Sequence, residues 1–165
     1  MVRDSEIKRL VLYLKACNVK VTIRNYAFDH LGEVTGDIPA KININKHRHT
    51  SKTELVLTLL HEACHIKYSS LHPDLHFEGL EVEDNGDFKK ATKKQRWDNY
   101  KFEHDSLQLM PELALELGIK IPEWKIRYQL EVDIWEHFYY YENNRYPGRK
   151  EAVTKKRELM EKYKP

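Results

Sequence analysis

The chain has 165 residues, with 28 Lys and Arg against 26 Asp and Glu and a formal charge of +2. That near-balance gives no electrostatic case for nucleic acid as the main partner, and the length suffices for one domain with a substantial core. Two cysteines, Cys17 and Cys64, with no C-x-x-C pair, exclude a disulfide framework and a thiolate zinc ribbon.

The first six residues, Met1 to Glu6, carry charges where a secretory signal needs an apolar stretch, and no run approaches a membrane span. A cytoplasmic protein with no membrane partner is therefore expected. Ile7, Leu10, Val11 and Leu14 recur at helical spacing, which predicts an amphipathic helix from about Ser5 to Cys17, laid over a sheet. Val19, Val21 and Ile23 alternate with Lys20, Thr22 and Arg24 as in a half-buried strand. After a loop containing Gly32 and Gly36, Ile38, Ala40, Ile42 and Ile44 repeat the pattern, and this second strand is expected at the sheet edge, where an extended peptide could add by β-pairing. His47-Arg48-His49 reads as a solvated turn before the next helix.

Ser51 followed three residues later by Glu54 is a capping-box pattern that opens a helix. Projected at about 3.6 residues per turn, Leu55, Val56, Leu57, Leu59, Leu60, Ala63, Cys64 and Ile66 cover nearly its whole circumference, which predicts a buried helix. Cys64 falls on the Leu57 and Leu60 side and reads as core rather than nucleophile. From Leu71 to Lys90 the chain has Pro73, Gly79, Gly86 and many acids without a period, so a long loop is expected. Helix returns near Thr92, with Trp97, Tyr100, Leu107 and Met110 on one stripe. Pro111 marks a break or a new first turn. Leu113, Leu115 and Leu117 lead to Gly118, and a further helix runs from Pro122 or Glu123 to about Asn143. Pro147-Gly148 then precedes a short basic terminal helix. The expected organisation is a single α+β domain: residues 1–70 as helix, small N-terminal sheet and buried helix, 71–91 as loop, and 92–165 as a mainly helical part.

Inside the buried helix stands His61-Glu62-Ala63-Cys64-His65. Residues at i and i+4 share one helix face, so both imidazoles can ligate one tetrahedral metal, while Glu62, turned by about 100°, reaches the open coordination position. Glu62 has no Lys or Arg three or four residues away, and a metal with its water would compensate its burial. The pattern points to one Zn2+ ion with Glu62 as the base acting on its water.

A catalytic zinc takes three protein ligands and leaves one position open. Glu103 is the leading candidate, because it shares a stripe with Tyr100, Leu107 and Met110, where a buried charge would otherwise be costly. Ser106, a small neighbour, would allow close helix approach. His104 and Asp105 are rivals, with Asp105 better suited to orienting a ligand imidazole. His72 and His76 follow the motif but lack the H-E-x-x-H-x-x-G-x-x-H spacing. His137, within an aromatic-rich helix, is a possible transition-state stabiliser or a packed residue. A basic set, Arg145, Arg149, Lys150, Lys155, Lys156 and Arg157, reads as a solvated terminal helix.

The strand Ala40-Lys41-Ile42-Asn43-Ile44-Asn45, the helix end Leu59-Leu60-His61-Glu62-Ala63-Cys64-His65-Ile66 and the later Glu103-His104-Asp105-Ser106 together resemble the zincin metallopeptidases. The likeness is closest to the ImmA/IrrE type, whose members are often encoded by phages, mobile elements and bacteria. Leu109-Met110-Pro111 echoes the Leu-x-Met-Pro ending of that group. Ser106 stands where the group often has Ala, and Leu107-Gln108 replaces its aromatic-Ala pair. The resemblance covers residues 38 to 112. It implies a zincin-like domain, a zinc-dependent peptidase acting on a protein or peptide substrate, His61, His65 and Glu103 as ligands, and Glu62 as general base. SprT-like proteases, which act on DNA-associated proteins and use a later His, are the nearest alternative, with His76 as the candidate. A third possibility is an inactive zincin-like protein-binding module.

Overall fold

In the computed structural model, which describes residues 4–25, 32–35 (backbone only), 40–75 and 90–164, a small sheet precedes a mainly helical remainder. In chain order the described elements are α1 (Asp4–Ala16), β1 (Lys20–Arg24), β2 (Gly32–Thr35), β3 (Lys41–Asn45), a 3-10 turn (Lys46–Arg48), α2 (Lys52–Leu71), α3 (Lys93–Leu107), α4 (Met110–Glu116), α5 (Glu123–Asn143) and α6 (Arg149–Tyr163). The class is α+β, as the sequence pattern predicts. No helix among the described residues is long and apolar enough to cross a membrane. The chain divides into two compact units, Met1–Leu71 with Leu109–Ile121, and His72–Gln108 with Pro122–Pro165. The helical part 92–165, read from sequence as one piece, is thus shared, because residues 109–121 group with the N-terminal unit. Ile38, His76 and most of the expected loop, 76–89, lie outside the described residues.

In the first unit α1 starts with Asp4 and Glu6 and ends with Lys15, a charge order that complements the helix dipole. Leu10 and Leu14 are fully buried. The helix stops where Asn18 takes a left-handed conformation (φ 59°) and the Val19 N–H donates to the Leu14 carbonyl at 2.9 Å.

The sheet order is β1-β3-β2, with β1 parallel and β2 antiparallel to β3. Two sequence expectations are corrected here. The strand expected at the edge is the middle one: Ile42 and Ile44, both 0% exposed, lie opposite Val21 and Ile23 on one side and opposite Val34 and Gly32 on the other. Its backbone is therefore unable to pair with an added peptide, and the outer strands are β1 and β2. The segment read as loop contains β2, whose four residues are too few to display a period.

His49 is a third departure from expectation. Its Nδ1 is 2.9 Å from the Asn45 carbonyl oxygen and its Nε2 3.0 Å from Thr58 Oγ1, so the ring ties the end of β3 to α2, while His47 and Arg48 are exposed. The start of α2 is capped as the sequence indicates, with Ser51 Oγ accepting from Glu54 N at 3.2 Å. Glu54 reaches one residue further back than a capping box requires, accepting from Thr50 N at 2.6 Å. Along α2, Val56, Leu59, Leu60, Ala63 and Cys64 are fully buried. Lys67 joins α2 to α4 through Glu116 at 3.0 Å and Glu112 at 3.4 Å. Burial alone would lower the Lys67 pKa, but hydrogen bonds to Glu116 and then Glu112 hold it above its usual value.

Beyond α4 the chain turns at Gly118 (φ +60°), and Arg9 Nη1 donates to the Leu117 carbonyl at 3.1 Å. The buried Glu6 carboxylate accepts from Lys120 N nearby. A Cβ at position 118 would meet Arg9 Nη1 at 2.6 Å and would sit in a backbone region costly for any L side chain.

In the second unit α3 opens with a full capping box: Thr92 Oγ1 accepts from Gln95 N at 3.2 Å and Gln95 Oε1 from Thr92 N at 2.8 Å. Its buried face is Asn99, Phe102, Glu103, Ser106 and Leu107, which differs from the expected stripe. Trp97, 43% exposed, and half-buried Tyr100 instead join Phe138 and Tyr141 of α5 in an aromatic group with neighbouring ring centroids 5.2 to 6.3 Å apart. Arg96 fastens α3 to the end of α5, donating to Ala91 O at 2.7 Å, Tyr141 O at 3.0 Å and Asn144 Oδ1 at 3.1 Å. Glu151 anchors the start of α6 by accepting from Gly148 N at 2.6 Å, Arg145 Nη2 at 2.8 Å and the Tyr139 hydroxyl.

Gly118→Ala is expected to cost about 1–2 kcal/mol, the left-handed penalty, read as a lower denaturation midpoint in urea with an unchanged slope. The Arg145 guanidinium, then the Tyr139 hydroxyl and the Gly148 N–H, hold the Glu151 carboxyl down at about 2 from an ordinary 4.5. A depressed carboxylate stabilises the fold fully above its unfolded pKa and loses that contribution as pH falls through the folded value. Thermal midpoints should therefore drop between pH 4.5 and about 2 more steeply for the parent than for Glu151→Gln. Parallel curves would show that this cluster does not contribute.

Candidate metal site

His61 and His65 stand one turn apart on α2, which the Ser51 cap and the buried leucines hold in place. Their ring centroids are 4.7 Å apart with planes at 81°, so the two imidazoles converge edge to face rather than splaying apart. His65 is 8% exposed, His61 half-buried, and Glu62 between them 6% exposed. Cys64, fully buried, is core as expected. Burial pushes its thiol up, Lys67 opposes the shift and Glu62 adds to it, so no reactive thiolate forms near neutrality.

On α3, Glu103 is 6% exposed and Ser106, fully buried, donates its hydroxyl to the Glu103 carbonyl at 3.2 Å. His137 of α5 approaches the same carboxylate, with Nε2 3.7 Å from Glu103 Oε2 and Nδ1 3.1 Å from Asn99 Oδ1.

One ligand atom from each of His61, His65 and Glu103 lies within 4.8 Å of the others, so this His-His-Glu group could hold a metal ion. The donor set passes a simple test of fit. Two imidazole nitrogens and a carboxylate oxygen are donor types that zinc takes, in the number that leaves a fourth position open. Two of the three donors are buried, which separates the group from the exposed acidic clusters that occur without metal.

The other sequence candidates are placed elsewhere. His104 Nδ1 is 2.9 Å from Asp105 Oδ1, and Asp105 also takes Lys101 Nζ at 3.1 Å. Burial would raise the Asp105 carboxyl, yet hydrogen bonds from His104 and Lys101 hold it below the usual range. Asp105 is thus engaged by its neighbours on α3, with no ligand imidazole among these partners. His72 is exposed, and His76 lies outside the described residues. Asn99 went unnoticed in the sequence. Counting back four residues from Glu103 along the same helix face would have found it, since that face also carries Ser106 and Leu107.

No family model, no curated protein and no solved structure matches the chain.

Removing one donor should abolish tight metal uptake. His65→Ala and Glu103→Ala are each expected to weaken divalent-metal binding by more than about 100-fold, the upper range for changes outside the ligand shell. Chelator competition against the parent measures this, and parental affinity in either variant would remove that residue from the ligand set.

Proposed function

We propose that the chain is a zinc-dependent peptidase of the zincin type, most similar to the ImmA/IrrE group, which hydrolyses a peptide bond in a protein substrate. The observation that carries the reading is the convergence of two imidazoles and a carboxylate, with a further buried carboxylate, Glu62, adjacent to His61 in sequence. His61, His65 and Glu103 would hold the ion. Two nitrogens and one oxygen suit zinc, and three protein ligands leave the fourth position that hydrolysis requires. A zinc ion there supplies Lewis acidity, polarising a carbonyl and bringing the pKa of water to about 7.

The remaining chemistry belongs to Glu62. Its side chain is rotated by about 100° around α2 from His61 and is 6% exposed, so little bulk water competes for its oxygens. As general base it takes the proton of the attacking water, and as general acid it returns that proton to the leaving amine. Cys64 takes no part, since its thiol is buried and fully protonated near neutrality.

The aromatic group of exposed Trp97 and Phe138 with half-buried Tyr100 and Tyr141 favours one second reading, a zincin-like module that binds a protein partner without cleaving it. The SprT-like alternative would need a later histidine such as His76. Glu62 separates enzyme from module, because binding alone does not need a base at that position.

Glu62→Gln should retain one zinc per chain and lose about 10²–10⁴-fold in peptide hydrolysis, the range of a general base. Elemental analysis and cleavage of substrates trapped by the variant from host extract provide the two readouts. Cleavage at the parental rate would refute the assigned base.

A further inference from the structure

Two polar side chains beside Glu103, Asn99 and His137, have no part in the mechanism above, and all three belong to the second unit. Asn99 is 1% exposed, the Glu103 side chain 8% and the His137 side chain 15%, so none of the three is a surface residue. His137 spans the other two, its Nδ1 at 3.1 Å from the Asn99 amide and its Nε2 at 3.7 Å from Glu103 Oε2. Tyr146 packs edge-on against the ring, centroid to centroid 5.7 Å at 88°, and restrains its tilt. We infer that His137 is a positioning residue for Glu103, itself oriented by Asn99, and that this relay fixes the carboxylate in a metal-ligating pose.

The Asn99 amide sets the imidazole tautomer. Among the described residues Asn99 Nδ2 has no hydrogen-bond partner, and a buried N–H left unmade costs more than a carbonyl with spare acceptor capacity. A half-turn of the amide about χ2 exchanges its oxygen and nitrogen at nearly unchanged shape. It then donates to His137 Nδ1, so the single proton of a neutral imidazole sits on Nε2, the atom facing Glu103. Nε2 stands 3.7 Å from Glu103 Oε2, a buried oxygen with no hydrogen bond among the described residues, so a closing movement of a few tenths of an ångström would let the N–H donate to it and leave the other oxygen for a metal. Partners of this kind orient ligands in many metal sites, and their loss costs about 10–100-fold in metal affinity.

The inference rests on the peptidase reading only for Glu103 as a ligand, and metal binding rather than turnover tests it. Zinc affinity by chelator competition and the visible spectrum of the Co2+-loaded full-length chain are compared for the parent, His137→Phe, His137→Gln and Asn99→Ala. Phe keeps the ring packed against Tyr146 without a donor, whereas Gln can return an N–H near the Nε2 position. Expected is a 10–100-fold loss with a changed Co2+ spectrum for His137→Phe, recovery of most of it in His137→Gln, and a smaller loss in Asn99→Ala. Parental affinity and spectrum in His137→Phe would reduce His137 to packing and overturn the inference while the peptidase reading stands. Equal losses in His137→Phe and His137→Gln would also overturn it, because the donor would then not matter. If the parent itself takes up no zinc, the metal reading fails, and this inference with it. Should His137→Phe not fold, His137→Gln and Asn99→Ala still decide: parental Asn99→Ala affinity alongside weakened His137→Gln refutes the relay.

Discussion

Desolvation of ionisable side chains is the constraint on which the candidate site depends. Glu62, His65 and Glu103 are each 8% exposed or less, and a buried carboxylate costs several kcal/mol unless something compensates the charge. The molecule places these groups on helices whose other buried residues are largely apolar, Leu59, Leu60, Ala63 and Cys64 around the motif, Phe102 and Leu107 around Glu103. Burial of this kind calls for partners that share the charge. A cation shared by two imidazoles and a carboxylate would compensate it, which is why donor chemistry and burial support the same reading.

Precision at such a site comes from what holds each helix. The motif helix is fixed at its start by the Ser51 hydroxyl and, about two turns later, by the His49 bridge from Asn45 to Thr58. Further along, Lys67 binds it to α4 through two glutamates. On α3 the Thr92–Gln95 capping box sets the first turn, and Arg96 donates twice to the end of α5, at Tyr141 O and Asn144 Oδ1, and once to Ala91 O before its own helix. None of these ties uses His61, Glu62, His65 or Glu103, so the helices are constrained while those side chains are left to the site.

Charge is used differently at the surface. Lys94–Asp98, Arg127–Glu123 and Lys155–Glu158 are exposed pairs along single helices, worth only a few tenths of a kcal/mol each. On α6 Lys156 and Lys162 instead reach across to Glu136 and Glu131 of α5, and Arg145 with Glu151 serves the helix start. Asp105 resembles the single-helix pairs: its neighbours His104 and Lys101 absorb its charge locally, while Glu103, two residues earlier, is turned inward.

What the sequence determined by itself was local. The H-E-x-x-H spacing, the Ser51 start, the Thr92 and Pro111 boundaries and the span of α5 each follow from windows of a few residues, in which helix period and capping chemistry are self-contained. Glu103 was also legible as an inward-facing acid, although the stripe around it was misread: Trp97 is exposed and Tyr100 only half-buried, and Asn99 takes the buried position. Only the tertiary structure decided that β3 is the central strand, that 32–35 pairs with it, that 109–121 belongs with the first unit, and that His49 and His137 are bridging side chains. Those facts depend on partners distant in sequence, such as Val21 opposite Ile42 and His137 beside Glu103, and a periodicity records which face is buried without recording what it is buried against.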